Sequence, residues 1–259
     1  MTIPTIFLSH GPPSILLRDD PSVRFWRSLG ASMPRPRAVV CISAHWETVR
    51  PMLTSNARPG ILYDFSGPPP LFSRAYPATG DPKLAESIRE ALAAAGFDTA
   101  LDASRGLDHG VWVPVSQMFP QADIPVIQLA LQTELSPRHH YALGRSLGPL
   151  RDEGVLILGS GGAVHNLDEI HAFAVHDTPP DYALAFEAWL ETAISDDDVD
   201  ALLDYRKQAP SPDRCHPYPA EHLLPLFVCL GAGNRLGPGR RLHQGFLYGV
   251  LSMAAYSWP

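Results

Sequence analysis

Val155-Leu156-Ile157-Leu158-Gly159-Ser160-Gly161-Gly162-Ala163-Val164-His165-Asn166 begins as an aliphatic run and ends in a glycine-rich turn that carries a histidine. A short run with no polar side chain fits a strand covered on both faces, as in a parallel sheet between layers of helix. Three further runs are almost as apolar, at residues 3–9, 38–43 and 124–131. Helical stretches alternate with them. Residues 82–95 stop at Gly96, residues 137–150 start behind Ser136 as N-cap with Pro137 at N1, and residues 183–193 follow Asp181. Strands alternating with helices predict an α/β fold with a central, mostly parallel, buried sheet flanked by helices.

The chain has 259 residues, 45% hydrophobic and 18% charged, and is long enough to bury a substantial core. No internal repeat and no Gly/Ser linker divides it, so residues 1–259 are expected to form a single catalytic domain. Its 27 prolines cluster between the periodic segments, where they mark loops. Acidic residues (27) outnumber Lys and Arg (20), and no basic run is present, which argues against nucleic acid as a partner. The longest apolar stretches, at 155–158 and 223–230, fall well short of the roughly 20 residues a membrane helix needs. The first residues lack the positive charge of a signal peptide, and three cysteines without a Cys-x-x-Cys pair suit a reducing compartment. A cytoplasmic protein is expected, with Cys41 and Cys229 in its core. A homo-oligomer is compatible with this sequence, which leaves the oligomeric state open.

The histidines repeat one context. Ser9-His10-Gly11 follows the first run, Ser43-Ala44-His45-Trp46 the second, and Gly159 to His165 the fourth. Ligands of open α/β sheets bind outside the carboxyl ends of the strands, so these distant positions are expected to converge on one crevice there. A single strand-end histidine is most often a hydrogen-bonded core group, but three in one topological position point to a metal. Neutral imidazole is a common transition-metal ligand, and three protein ligands leave positions open for substrate. His109, in Asp108-His109-Gly110-Val111-Trp112, and His222, in Pro219-Ala220-Glu221-His222-Leu223-Leu224-Pro225-Leu226 at the start of an apolar helix, add two candidates.

Other patterns carry less. Gly159-Ser160-Gly161-Gly162 looks like a phosphate-cradling turn but lacks the Gly-Lys-Ser/Thr of a P-loop and the spacing of a dinucleotide fingerprint. Leu158 stands where a serine-hydrolase elbow needs glycine, which disfavours Ser160 as a nucleophile. Asp196-Asp197-Asp198 with Asp200 reads as the solvated start of a short helix. His139, His140, His171, His176 and His243 read as surface residues.

Taken together, Ser9-His10-Gly11, Ser43-Ala44-His45-Trp46, Asp108-His109-Gly110 with Trp112, Gly159-Ser160-Gly161 with Val164-His165-Asn166, and Glu221-His222 with Leu224-Pro225-Leu226 resemble the class III extradiol ring-cleaving dioxygenases. The closer likeness is to the DOPA-dioxygenase branch of the LigB-like superfamily, over residues 5–253 and in the family's order. The resemblance implies a non-haem Fe(II) enzyme that opens a catechol ring beside one hydroxyl with O₂ to give a ring-opened semialdehyde. It implies His10, His45 and His222 as metal ligands, His165 as catalytic acid/base and His109 as a second active-site histidine. Glu221 is the fallback third ligand, because a related branch uses glutamate; neighbouring helical side chains diverge by about 100°, so His222 is preferred.

Three neutral histidines would leave Fe(II) its full charge, which lowers the pKa of a bound hydroxyl. His109 would hydrogen-bond oxygen or a substrate hydroxyl, or pin its own loop. Tyr218 and Trp46 wall an aromatic pocket or pack in the core. The same three histidines also suit Zn(II), which can occupy an iron site on purification, so a zinc hydrolase or a non-catalytic metal-binding protein remain the alternatives.

Overall fold

The computed structural model describes residues 2–233 and 236–259. Among the described residues there are ten strands, β1 (Thr5–Ser9), β2 (Ala38–Glu47), β3 (Met52–Thr54), β4 (Ala100–Asp102), β5 (Val126–Leu131), β6 (Val155–Gly161), β7 (Arg240–His243), β8 (Phe246–Leu247), β9 (Leu251–Ser252) and β10 (Ala255–Trp258), the first six interleaved with helices. The helices are α1 (Pro21–Ser32), α2 (Pro82–Ala94), α3 (His109–Met118), α4 (Pro137–Leu147), α5 (Asp181–Ser195), α6 (Val199–Leu203), α7 (Tyr205–Gln208), α8 (Pro212–Cys215) and α9 (Leu224–Gly233). Eight strands form one sheet in the order β4-β3-β5-β2-β6-β1-β10-β7, and β8 pairs with β9 separately. The middle of the large sheet, β5-β2-β6-β1, is parallel throughout, as the four apolar runs predict.

Strand pleating sends alternate side chains to opposite faces, and each face builds its own core. Phe7, Val40, Ile42, Ile127 and Ile157 join residues of α2, α4, α5 and α9 on one face. Ile6, Leu8, Val39, Cys41, Leu156 and Leu158 join α1 and α3 on the other. This two-sided burial is why the strands read as continuous apolar runs. Helix α9 is buried at every position, between α4 and the sheet, so it is apolar all round.

Several boundaries differ from the sequence reading. Pro137–Leu147 ends three residues early and continues as a 3-10 turn, Gly148–Arg151, and Ser136 sits at the N-cap without a side-chain capping bond. The strand at residues 38–43 runs on to Glu47, with an irregularity after Ile42 that turns His45 into the crevice. Short β3 and β4, the antiparallel strands β7 and β10, and helices α1 and α3 go unseen in the sequence. Pro114 inside α3 argues against a helix there, yet α3 persists because nearly all its residues are buried. Among the described residues no helix is long and apolar enough to cross a membrane.

Candidate metal centre

Parallel strands end at the same edge of a sheet, so residues distant in sequence meet there. Ser43 of β2 lies opposite Ser160 of β6, which lies opposite Leu8 of β1, and Ser9 lies opposite Gly161. His10 is therefore delivered by the end of β1, His45 by the end of β2, and His165 by the turn after β6. His109 is the first residue of α3, and His222 sits in the 3-10 turn Glu221–Leu223 that runs into α9. All five rings meet. His10 and His45 have centroids 4.9 Å apart, His222 lies 5.4 Å from His10 and 4.9 Å from His45, and His109 lies 3.9 Å from His45. His165 stacks flat on His222 at 3.5 Å. Donor atoms within 4.8 Å of one another form two groups, His10-His45-His109 and His165-Glu221-His222.

The glycines at the end of β6 serve packing rather than phosphate binding. A Cβ on Gly161 would stand 2.0 Å from the backbone oxygen of His222, and one on Gly159 would stand 2.7 Å from the Pro225 oxygen and the Cys229 sulfur. Only bare backbone lets β6 approach the start of α9 this closely. The amide of Gly162 then donates to the His222 oxygen at 2.9 Å. This contact brings His222, remote in sequence, to the strand-end histidines.

Each histidine is held by a neighbour whose holding role the sequence does not reveal. The Nδ1 of His10 lies 3.0 Å from Ser160 Oγ. The Nδ1 of His222 lies 2.7 Å from Glu221 Oε1, so Glu221 meets the ring of His222 instead of competing with it. Asp64 Oδ1 accepts from the His109 amide at 3.0 Å and lies equally close to its Nδ1. Buried Asp108, directly before His109, accepts from Ser43 Oγ at 2.7 Å and from Gln128, and Ser43 Oγ accepts in turn from the His45 amide. Cys215 O accepts from the His165 amide, and His216 Nε2 donates to Ala163 O, both at 2.9 Å, so one short segment clamps the turn bearing His165.

Electrostatics favour neutral rings. Burial, followed by repulsion from neighbouring imidazoles, holds His10 and His222 well below the usual histidine range and His45 at about 3. Burial also lowers His165 to about 4. Partial burial works against the Asp64 carboxylate, but the hydrogen bonds and charge of His109 more than offset it, leaving Asp64 below its usual value. The Nε2 atoms of His10 and His45 are 3.0 Å apart and can share at most one proton. Neutral nitrogens converging in this way fit a divalent cation, which supplies the positive charge their lone pairs face.

Some sequence readings are corrected. His140 is fully buried: its Nδ1 faces Ser136 O at 3.0 Å and its Nε2 accepts from the Gln132 amide at 3.3 Å. His139 is half-buried against Phe97, and His243 stacks on Phe25 at 4.6 Å. The Gln132 amide, donating to Nε2, requires the neutral ring, and burial lowers its pKa to about 4. The unfolded chain takes up that proton near pH 6.5 while the folded chain resists to about 4, so the stabilisation is present above 6.5 and declines as pH falls between these values. The expected loss on moving from about pH 7.5 to about pH 5 is roughly 2 kcal/mol from this residue. Urea unfolding of wild type and His140→Gln at both pH values checks it; equal pH dependence in the two proteins would refute the assignment. Trp46 is buried beneath the Arg105 guanidinium, 4.7 Å from its ring, whereas Tyr218 is 75% exposed with its hydroxyl on Glu134. Asp198 caps α6 through the Ala201 amide, as the acidic run predicts.

A crevice of neutral histidines at the carboxyl edge of a parallel sheet defines a metal-dependent enzyme of the α/β class. The family model described as the catalytic LigB subunit of aromatic ring-opening dioxygenase matches residues 4–254, and the chain belongs to that family. It is 41% identical to a 4,5-DOPA dioxygenase extradiol of Beta vulgaris, over 98% of this chain and 96% of the relative. It is 35% identical to the protein of the same description from Escherichia coli K12, over 97% and 93%. The crystal structure of an uncharacterized protein from Escherichia coli K12 superposes with a TM-score of 0.83 at 33% identity, covering 99% of this chain and all of that one. The chain is thus an extradiol-type aromatic ring-cleaving dioxygenase.

Proposed function

We propose that residues 1–259 act as one catalytic domain that opens the ring of a catechol, DOPA or a close relative, with O₂ to give a ring-opened semialdehyde. The observation that carries this reading is the meeting of His10, His45, His109, His165 and His222 in one crevice of a LigB-family chain. In this reading His10, His45 and His222 hold Fe(II), because Ser160 and Glu221 occupy the Nδ1 sides of His10 and His222 and leave Nε2 for the metal. When bound, Fe(II) supplies charge to ionise the catechol and a common template for catechol and O₂.

The remaining work falls to protein groups. His165, kept neutral by burial, enters as a proton acceptor for a catechol hydroxyl. Once protonated in a site that disfavours its charge it is a strong acid, so it returns the proton as the ring opens. His109, braced by Asp64, presents its ring edge-on to His10 at 5.3 Å, where it hydrogen-bonds oxygen or a substrate hydroxyl. Half-buried Phe65, 5.7 Å from His109, offers an aromatic wall for the substrate ring. A cytoplasmic location suits the three buried free cysteines.

The metal assignment has a direct test, since zinc competes for such sites by intrinsic affinity. Apoprotein loaded anaerobically with Fe(II) or Zn(II) and then given O₂ and a panel of catechols is expected to form a yellow ring-opened product with iron alone. Ester or amide hydrolysis by the zinc form, with no product from any catechol, would replace this reading with a hydrolase.

A further inference from the structure

We infer that Ser160 sets the tautomer of His10 and so prepares that ring to receive the metal, an inference that rests on the reading of His10 as a ligand. Ser160 is the central residue of Gly159-Ser160-Gly161 and is completely buried in β6. Its hydroxyl makes two contacts, one with the backbone oxygen of Gly110 and one, at 3.0 Å, with Nδ1 of His10.

The proton count decides the direction of each bond. A carbonyl oxygen only accepts, so the hydroxyl's single hydrogen goes to Gly110. Toward His10, Ser160 then has only lone pairs left, and Nδ1 must carry the hydrogen. A neutral imidazole has one N–H, so Nε2 of His10 is bare. That atom is the one aimed into the crevice, 3.0 Å from Nε2 of His45. The relay from His10 through Ser160 to Gly110 therefore excludes the tautomer whose N–H would block the metal. Gly110 directly follows His109 in α3, so the same hydroxyl also ties the start of α3 to the ends of β1 and β6. With its proton and a lone pair both committed inside the core, Ser160 is unavailable as a nucleophile and acts as a positioning residue.

The test reads metal affinity and tautomer on apoprotein, apart from turnover. Zinc titration against a competing chelator is expected to show Ser160→Ala binding about 10–100-fold more weakly than wild type, with Ser160→Thr, which keeps a hydroxyl, recovering most of the loss. Nitrogen-15 NMR of histidine-labelled wild-type apoprotein is expected to show His10 protonated on Nδ1, and Ser160→Ala is expected to lose that preference. His10 protonated on Nε2 in wild type overturns the inference, and this measurement stands even if the alanine variant fails to fold. Weaker zinc binding with an unchanged His10 tautomer overturns it as well, because the serine would then act only through packing. His10→Ala serves as the control. If it loses zinc while Ser160→Ala binds normally, the relay fails and the ligand assignment survives; if both bind like wild type, the ligand assignment itself fails.

Discussion

His165→Ala is expected to lower turnover by about 10²–10⁴-fold while the protein still takes up one equivalent of metal. The magnitude is that of a general acid-base group removed from a site whose other parts remain. Its ring stacks on His222 at 3.5 Å, and its backbone amide is fixed by Cys215 O, so the side chain is presented rather than mobile. Truncation leaves His10, His45 and His222 with their partners Ser160, Ser43 and Glu221. Single-turnover kinetics and metal analysis of the same sample separate the two roles, and added imidazole should restore part of the rate. Loss of metal together with activity would instead make His165 a ligand or a prop for His222. Unchanged turnover would remove it from the chemistry altogether.

Gly161→Ala should be equally damaging for a different reason. The added methyl would stand 2.0 Å from the backbone oxygen of His222. Backbone cannot swing aside as a side-chain tip can, so β6 and the turn Glu221–Leu223 must separate. The amide of Gly162 holds that same oxygen at 2.9 Å, and Gly161 O accepts from the His10 amide at 3.0 Å, so the displacement reaches two of the three proposed ligands. Overpacking of this kind costs about 1–3 kcal/mol or more, and a misplacement of about 1 Å costs on the order of 10²-fold in rate. The variant is expected to melt earlier, bind metal weakly and turn over at most about 1% of wild type. Gly60→Ala is the control, since nothing lies within 4 Å of a Cβ there. Wild-type melting and metal content in Gly161→Ala would show that the close approach of β6 to His222 is not needed.

Much of the site was legible because the chemistry-bearing residues sit at strand ends. Runs buried on both faces announce parallel strands, and parallel strands share an edge, so His10, His45 and His165 could be brought together without coordinates. The partners were not legible, because their spacing carries no signal. Asp64 lies in an irregular stretch between β3 and β4, and its meeting with His109 depends on how that stretch folds against the start of α3. Ser160 is set aside as a nucleophile by Leu158 in the sequence, but its tie to His10 and Gly110 appears only once its hydrogen is traced. Glu221 is the fallback to His222 on helical geometry, and the short 3-10 turn instead sets its carboxylate on the ring of His222. His140 reads as polar surface because its neighbours are polar, but α4 turns it onto the Gln132 amide in the interior.

The amino-acid sequence by itself determined the fold class and the identity of the histidines, because hydrophobic periodicity and strand-end placement are properties of the chain read one segment at a time. Tertiary structure alone decided which nitrogen of each ring faces the crevice, how His222 reaches the strand ends, and which buried groups hold the rings neutral and oriented. Those outcomes depend on contacts between segments far apart in sequence, such as Ser160 with His10, 150 residues apart, and on the direction of single hydrogen bonds, which no local pattern encodes.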